Sequence, residues 1–160
     1  MESSELHFKH QLMQLELKMV LVTPERIASV MSLVPPPHSF AELDEMVSKG
    51  LPKGALKASI EHVCKNSDDR KQLLYRIIPE ATYKRRRETL SAEESERTER
   101  LARIFATAEY AWNSEPDAQA FLSTPHSMLQ GRTPLDVSMT ELGARRVEEL
   151  LWRLYYGIAA

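Results

Sequence analysis

Cysteine is almost missing from this chain of 160 residues: Cys64 stands alone. No disulfide can form within one molecule, so the fold must rest on packing. Cys64 itself reads as a small buried apolar residue and not as a reactive thiol. Glycine is scarce too, with 5 residues against 9 prolines. No glycine pattern cradles phosphate or a dinucleotide, and no Gly-x-Ser-x-Gly elbow occurs. No apolar run approaches a membrane span. Neither sign of charge dominates: 21 Lys and Arg face 23 Asp and Glu, for a net charge of -2. Any nucleic-acid binding must therefore come from a local patch. Residues Met1 to Glu5 are polar and acidic, without a secretory pattern, which predicts a cytoplasmic protein.

Catalytic clusters are also lacking. The histidines His7, His10, His38, His62 and His126 are scattered. His7 and His10 have a spacing that one helix face can use for metal, but no third ligand accompanies them. His126, after Thr124-Pro125, reads as a surface or capping residue. The expectation is a protein that is not an enzyme and uses no metal or cofactor.

What is present is ordinary for a folded chain, 42% hydrophobic and 28% charged, punctuated by caps and prolines into short helices. Leu15, Leu17, Met19 and Leu21 alternate as in a strand, yet the same stretch can continue a helix from Leu6 through Leu12. Thr23-Pro24 opens a short helix, and Pro35-Pro36-Pro37 makes a stiff spacer. Ser39 with Glu42 starts a helix that Gly50 stops. Further helices run from about Lys53 to Lys65, from a cap at Ser67 or Asp68, and from Pro79 at a first helical position. Ser91 with Glu94 then opens a long helix to about Trp112. Beyond it come a short helix around Phe121, the turn at Gly131, Thr133-Pro134, and a final helix from Thr140. Leu142, Val147, Leu150, Leu151 and Leu154 recur there at helical spacing. The expected organisation is all-α: an N-terminal extension over 1–38, a helix-turn-helix unit over 39–112 and a small helical unit over 113–160.

Two constellations remain. Lys84-Arg85-Arg86-Arg87 falls on a short helix that follows another short helix and a tight turn, the arrangement of a helix-turn-helix whose second helix enters the major groove. Thr82, Tyr83, Lys84, Arg85, Arg86 and Arg87 are the candidate DNA contacts. The competing reading is a solvated basic face paired with Glu88, Glu93, Glu94 and Glu96. The patch is small, so a dimer presenting two of them is needed for useful affinity. The second constellation is aromatic. Trp112 and Trp152 are expected to pack between the long helix and the last one. Tyr155 and Tyr156 point about 100° apart on a helix, so at least one is left for another surface.

Residues from about Leu101 to Ala160 resemble the antitoxin Xre/MbcA/ParS toxin-binding domain. The resemblance is carried by Arg100-Leu101-Ala102-Arg103-Ile104, Ala118 to Leu122 and Thr124-Pro125. It continues through Leu129 to Asp136, Glu141 to Glu148, and Leu151 to Ile158. Gly50 to Arg103 is similar to the Xre-like helix-turn-helix that precedes this domain. The resemblance implies a bacterial type II antitoxin whose partner is a RES-domain toxin acting on NAD. It implies that the C-terminal domain blocks the toxin's NAD site and that a homodimer represses its own promoter. Arg132, Thr133 and Pro134 would form a platform, with Arg132 either pairing with toxin carboxylates or holding the turn. Tyr155, Tyr156, Gly157, Ile158, Ala159 and Ala160 would fill the cleft.

Overall fold

The computed structural model describes residues 2–157. Among them it contains α-helices and one 3-10 turn but no strand, only isolated bridges between Pro52 and Thr89 and between His126 and Arg132. The elements are α1 (Glu2–Leu21), α2 (Pro24–Val30), α3 (Phe40–Lys49), α4 (Lys53–Val63), α5 (Ser67–Ile77), α6 (Glu80–Arg85), α7 (Ala92–Trp112), α8 (Glu115–Ser123), the 3-10 turn Ser127–Leu129, α9 (Pro134–Val137) and α10 (Glu141–Tyr155).

Helix α7 organises the molecule. Ser91 and Glu94 form a complete capping box at its start: the Ser91 hydroxyl accepts from the Glu94 N–H, and the Glu94 carboxylate accepts from the Ser91 N–H. Its stripe of Leu101, Ala102, Ile104, Phe105 and Ala108 is no more than 2% exposed. Helices α2, α3, α4, α8 and α10 all pack against it. One apolar core results, running from Val22 to Trp152. Three loop-to-helix starts follow directly from local sequence. Thr23 caps α2, Ser114 caps α8 and Thr140 caps α10, each side-chain oxygen accepting a first-turn N–H.

Of the two readings open for the stretch with alternating Leu15, Leu17, Met19 and Leu21, the helix is the one that forms, as part of α1, and several other expectations are corrected. Leu, Met, Glu and Lys are all strong helix formers, and only Val20 is β-branched, so propensity overrides the alternation. The cap of α5 is Asn66, whose side chain accepts from the Asp69 N–H, not Ser67 or Asp68. Pro79 occupies the cap position of α6, one residue ahead of the first helical one. The proline triplet does not bridge two bodies: Leu33 and Pro37 are buried on the same core that receives α2. Trp152 is buried against Tyr110 of α7, whereas Trp112 is 43% exposed and meets Phe121 of α8, ring centroids 6.1 Å apart. Leu142 is 72% exposed, because it lies on the face of α10 opposite Gly143, Ala144 and Val147, which are the buried ones. Cys64 is half-buried, and burial pushes its thiol up from its ordinary value, so the unreactive reading is the one the surroundings favour.

Candidate functional site

The basic run sits on a tightly braced corner. Leu73 and Ile77 bury one face of α5, and fully buried Ile78 makes the turn into α6. No residue of α6 itself is fully buried, so this six-residue helix stands on the surface. Tyr83 is its inward anchor, half-buried against the core with the Lys53 ammonium 4.3 Å from its ring centroid. The same Lys53 Nζ donates to the Arg86 carbonyl at 3.0 Å, and the Lys53 N–H donates to the Glu88 carbonyl at 2.8 Å.

The candidates in this run divide by role. Arg86 Nε and Nη2 donate to the carboxylate of buried Glu94 at 2.9 to 3.3 Å. Burial of Glu94 pushes its carboxyl up, but the hydrogen bonds from Arg86 and Ser91 outweigh this and hold it below the usual range. Arg86 therefore ties the loop after α6 to the start of α7. Lys84 pairs with Glu80 at 2.6 Å, one helical turn away. Arg85 reaches the Thr82 hydroxyl at 3.3 Å. Lys84, Arg85 and Arg87 are exposed, and Thr82 is half-exposed beside them. The outward set is thus Thr82, Lys84, Arg85 and Arg87, with Tyr83 and Arg86 as its bracing.

The second surface is the C-terminal third. Gln130 and Gly131 have φ of 54° and 72°, which turns the chain sharply after the 3-10 turn. The His126 imidazole Nδ1 accepts from the Met128 N–H at 3.1 Å, a capping role. The His126 N–H donates to the Arg132 carbonyl at 3.1 Å. Thr133 caps α9 through the Asp136 N–H at 3.1 Å, and Pro134 is buried at its first position. Exposed Arg132 donates to the Asp136 carbonyl at 3.3 Å. Across the molecule the Arg76 guanidinium binds the Asp136 carboxylate and holds it below the usual range. This bridge spans a cleft of about 530 Å³ between α5, α8 and α9, whose lining includes Cys64, Asp69, Gln119 and Thr133.

Helix α10 ends in a ring cluster. Leu150, Leu151 and Trp152 are buried. Tyr110 of α7 lies 6.0 Å from Trp152 and 5.4 Å from Tyr155, and Tyr155 meets Tyr156 edge-on at 5.0 Å. The guanidinium of Arg26, from α2, covers Tyr110 at 5.1 Å. Tyr156 turns inward, its hydroxyl buried without a hydrogen-bond partner, whereas Tyr155 is 42% exposed. Gly157 has φ of 66°, redirecting the chain where the helix stops. Ile158, Ala159 and Ala160 lie outside the described residues.

Sequence reasoning did not anticipate the polar clamp between α7 and α10. Arg100 and Arg103 both reach Glu141, at 3.1 and 3.0 Å, and Arg103 also lies 3.1 Å from Glu148 and 3.8 Å from Glu99. Glu99 is the local partner, one helical turn before Arg103, but Glu141 and Glu148 lie about 40 residues away and no local spacing signals them. Gly143 was missed as well: a Cβ there would lie 1.8 Å from the Val137 carbonyl oxygen, so only glycine allows α9 to meet α10.

Comparison with known proteins fits this layout. Residues 42–103 match the antitoxin Xre-like helix-turn-helix domain, and residues 107–157 match the antitoxin Xre/MbcA/ParS C-terminal toxin-binding domain. The two matches occur in tandem and together span more than two thirds of the chain. The chain belongs to the Xre/MbcA/ParS antitoxin family. A curated relative, Antitoxin Xre of Pseudomonas putida, is 37% identical over 84 residues. That stretch is 51% of this chain and 53% of the relative, so the chain spans about half the length of the curated relative it matches. In this Xre-family chain the α5–α6 corner falls in the first matched domain. The Gly131 turn and the ring cluster at the end of α10 fall in the second. Among the described residues no helix is long and apolar enough to cross a membrane, and no group of three or more His, Cys, Asp or Glu is placed to hold a metal.

Proposed function

We propose that this chain is the antitoxin of a type II toxin–antitoxin pair, working in the cytoplasm by binding and not by catalysis. Residues 113–160 serve as the toxin-binding unit, 39–112 as the DNA-binding unit, and the partner is a RES-domain toxin that consumes NAD. The observation that carries this reading is the exposed Tyr155 at the end of a helix anchored by Leu151 and Trp152. A pocket-filling inhibitor needs a projecting aromatic on a firm base, and no catalytic group of its own. Arg132, Thr133 and Pro134 stiffen the neighbouring turn. Tyr155, Gly157, Ile158, Ala159 and Ala160 enter the toxin's NAD cleft, while Tyr156, turned inward, packs on Trp152 beneath them.

The same proposal gives the α5–α6 corner to promoter DNA. Thr82, Lys84, Arg85 and Arg87 face the groove and its phosphates, while Tyr83 and Arg86 hold them in register. A homodimer presents two such corners and represses the shared operon.

Co-expression with the adjacent gene tests both halves. The full chain should suppress toxicity, and a chain ending at Arg153 should lose suppression and complex formation. Full suppression by the truncated chain would remove the tail from the mechanism. In the same cells, Arg85→Ala with Arg87→Ala should keep neutralisation and lose promoter repression. If no toxic gene adjoins, the reading reduces to a DNA-binding regulator.

A further inference from the structure

Three arginines that neither proposed surface uses line one hollow. Arg76 comes from α5, and Arg97 and Arg100 come from α7; the hollow between them has a volume of about 300 Å³. That lies at the lower end of the range for small-ligand sites, roughly 300 to 1,000 Å³. Ile77, Leu101 and Met139 give it an apolar wall. Among the described residues no carboxylate belongs to the lining.

Gathering like charges in this way has a cost. Arg97 and Arg100 stand one turn apart on α7, a spacing at which like charges repel. The carboxylates that offset the three cations are Asp136 on Arg76, Glu93 on Arg97 and Glu141 on Arg100. Glu141 is shared with Arg103, so the balance around the hollow stays positive. Main chain fixes two of the guanidiniums. Arg97 Nη1 donates to the Ile77 carbonyl at 3.2 Å, and Arg100 Nη1 donates to the Met139 carbonyl at 2.9 Å. These bonds leave donors over. Arg76 Nε and Nη2, Arg97 Nε and Arg100 Nη2 make no hydrogen bond to the described residues.

We propose that this hollow binds the phosphoryl group of a small organic phosphate. Arg76, Arg97 and Arg100 take its oxygens, and the organic part lies against Ile77, Leu101 and Met139. Planar guanidiniums held in place, with N–H groups to spare, match a tetrahedral oxyanion. A phosphomonoester carries close to two negative charges at neutral pH. A carboxylate or a DNA phosphodiester carries one, and so offsets less of the cluster. The inference is independent of both the toxin and the promoter readings.

The arginine Nε–H resonances of the isotope-labelled full chain test it, with inorganic phosphate, phenyl phosphate and phenol titrated at constant ionic strength. Both phosphates should move the Arg76, Arg97 and Arg100 signals together along saturating curves, and phenol should move none. Phenyl phosphate should bind more tightly than inorganic phosphate on the order of tenfold, because its ring is buried on the apolar wall. Arg97→Gln should weaken both ligands on the order of tenfold. Arg76→Gln, which gives up only the bond to Asp136, should do the same and guards against a folding defect in the first variant. Equal movement of exposed Arg145 would mean an adventitious ion only and would overturn the site. So would a failure to saturate in the millimolar range, or affinities unchanged in both variants. Equal affinity for the two phosphates would remove the organic part from the proposal. Movement with a short DNA duplex but with neither phosphate would replace the small ligand by a backbone contact.

Discussion

Single residues set the tolerances of this fold, and two glycines show how differently the same residue type can be used. At Gly143 an added Cβ would lie 1.8 Å from a backbone oxygen, whereas at Gly54 it would meet nothing within 4 Å. Gly143→Ala should cost about 3 kcal/mol, because the atom it meets is backbone and cannot rotate away. Gly54→Ala should instead gain about 0.5 kcal/mol from helix propensity and a less free unfolded chain. Denaturant titration of the two variants beside the parent checks both values and, more tellingly, their opposite signs. Sequence alone could not separate them, since both are single glycines in helical stretches. What it did reveal at this scale is whatever a side chain does within a few residues of itself. Ser91 with Glu94, Thr133 with Pro134 and the His126 cap were legible for that reason. Arg86 was legible only as one of two readings: of DNA contact and pairing with the downstream glutamates, it is the pairing with Glu94 that occupies it in bracing the corner.

At the scale of elements, the joint between α7 and α10 is polar at its rim and apolar beneath. Burial pushes the carboxyls of Glu99 and Glu148 up, against the pull of Arg103. Burial pushes Glu141 up as well, but Arg103 and Arg100 prevail and leave it below the usual range. A carboxyl raised on folding favours the folded state only while protonated, so its contribution falls as pH rises through the raised value. A lowered one, such as Glu141, contributes above the unfolded value and is lost as pH falls through the lowered value. Arg103→Met removes the cation that opposes the first effect and supports the second. It should cost about 2 kcal/mol at pH 7.5, and less at pH 5 where the raised carboxyls take up protons. Urea unfolding at the two pH values checks this; a loss that is equal or larger at pH 5 would contradict the arrangement. The apolar periodicity of α10 was readable in its sequence, but Leu142 is no part of it. Leu142 stands five residues before Val147, which places it on the outward face with Arg145, Arg146 and Glu149 and off the buried stripe.

For the whole molecule, the deciding feature is that one helix carries the core. Phe105 is fully buried in α7 and stacks 5.4 Å from His62 of α4, so truncating it loosens the packing on which both matched regions depend. Phe105→Ala should cost about 3 to 4 kcal/mol. Both regions should still unfold in a single transition, at the same denaturant concentration by Trp fluorescence and by circular dichroism. Two separated transitions would mean that the halves are independent. The all-α class and the order of elements could be read from caps, prolines and periodicity. The sharing of one core could not, since the contacts that create it join α2, α4, α8 and α10 across distances no local pattern encodes.

The two family matches end at Arg103 and begin again at Thr107, inside α7 and not at a linker. A recombination that exchanged one half for a relative's would have to cut a helix at its most buried turn, between Ala102 and Ala108. Hybrids of that kind would be purged for misfolding before their recognition was ever tried. Whatever the two halves recognise is therefore inherited as a linked pair, and new specificities in this lineage should arise by point substitution at the exposed rims rather than by shuffling of halves.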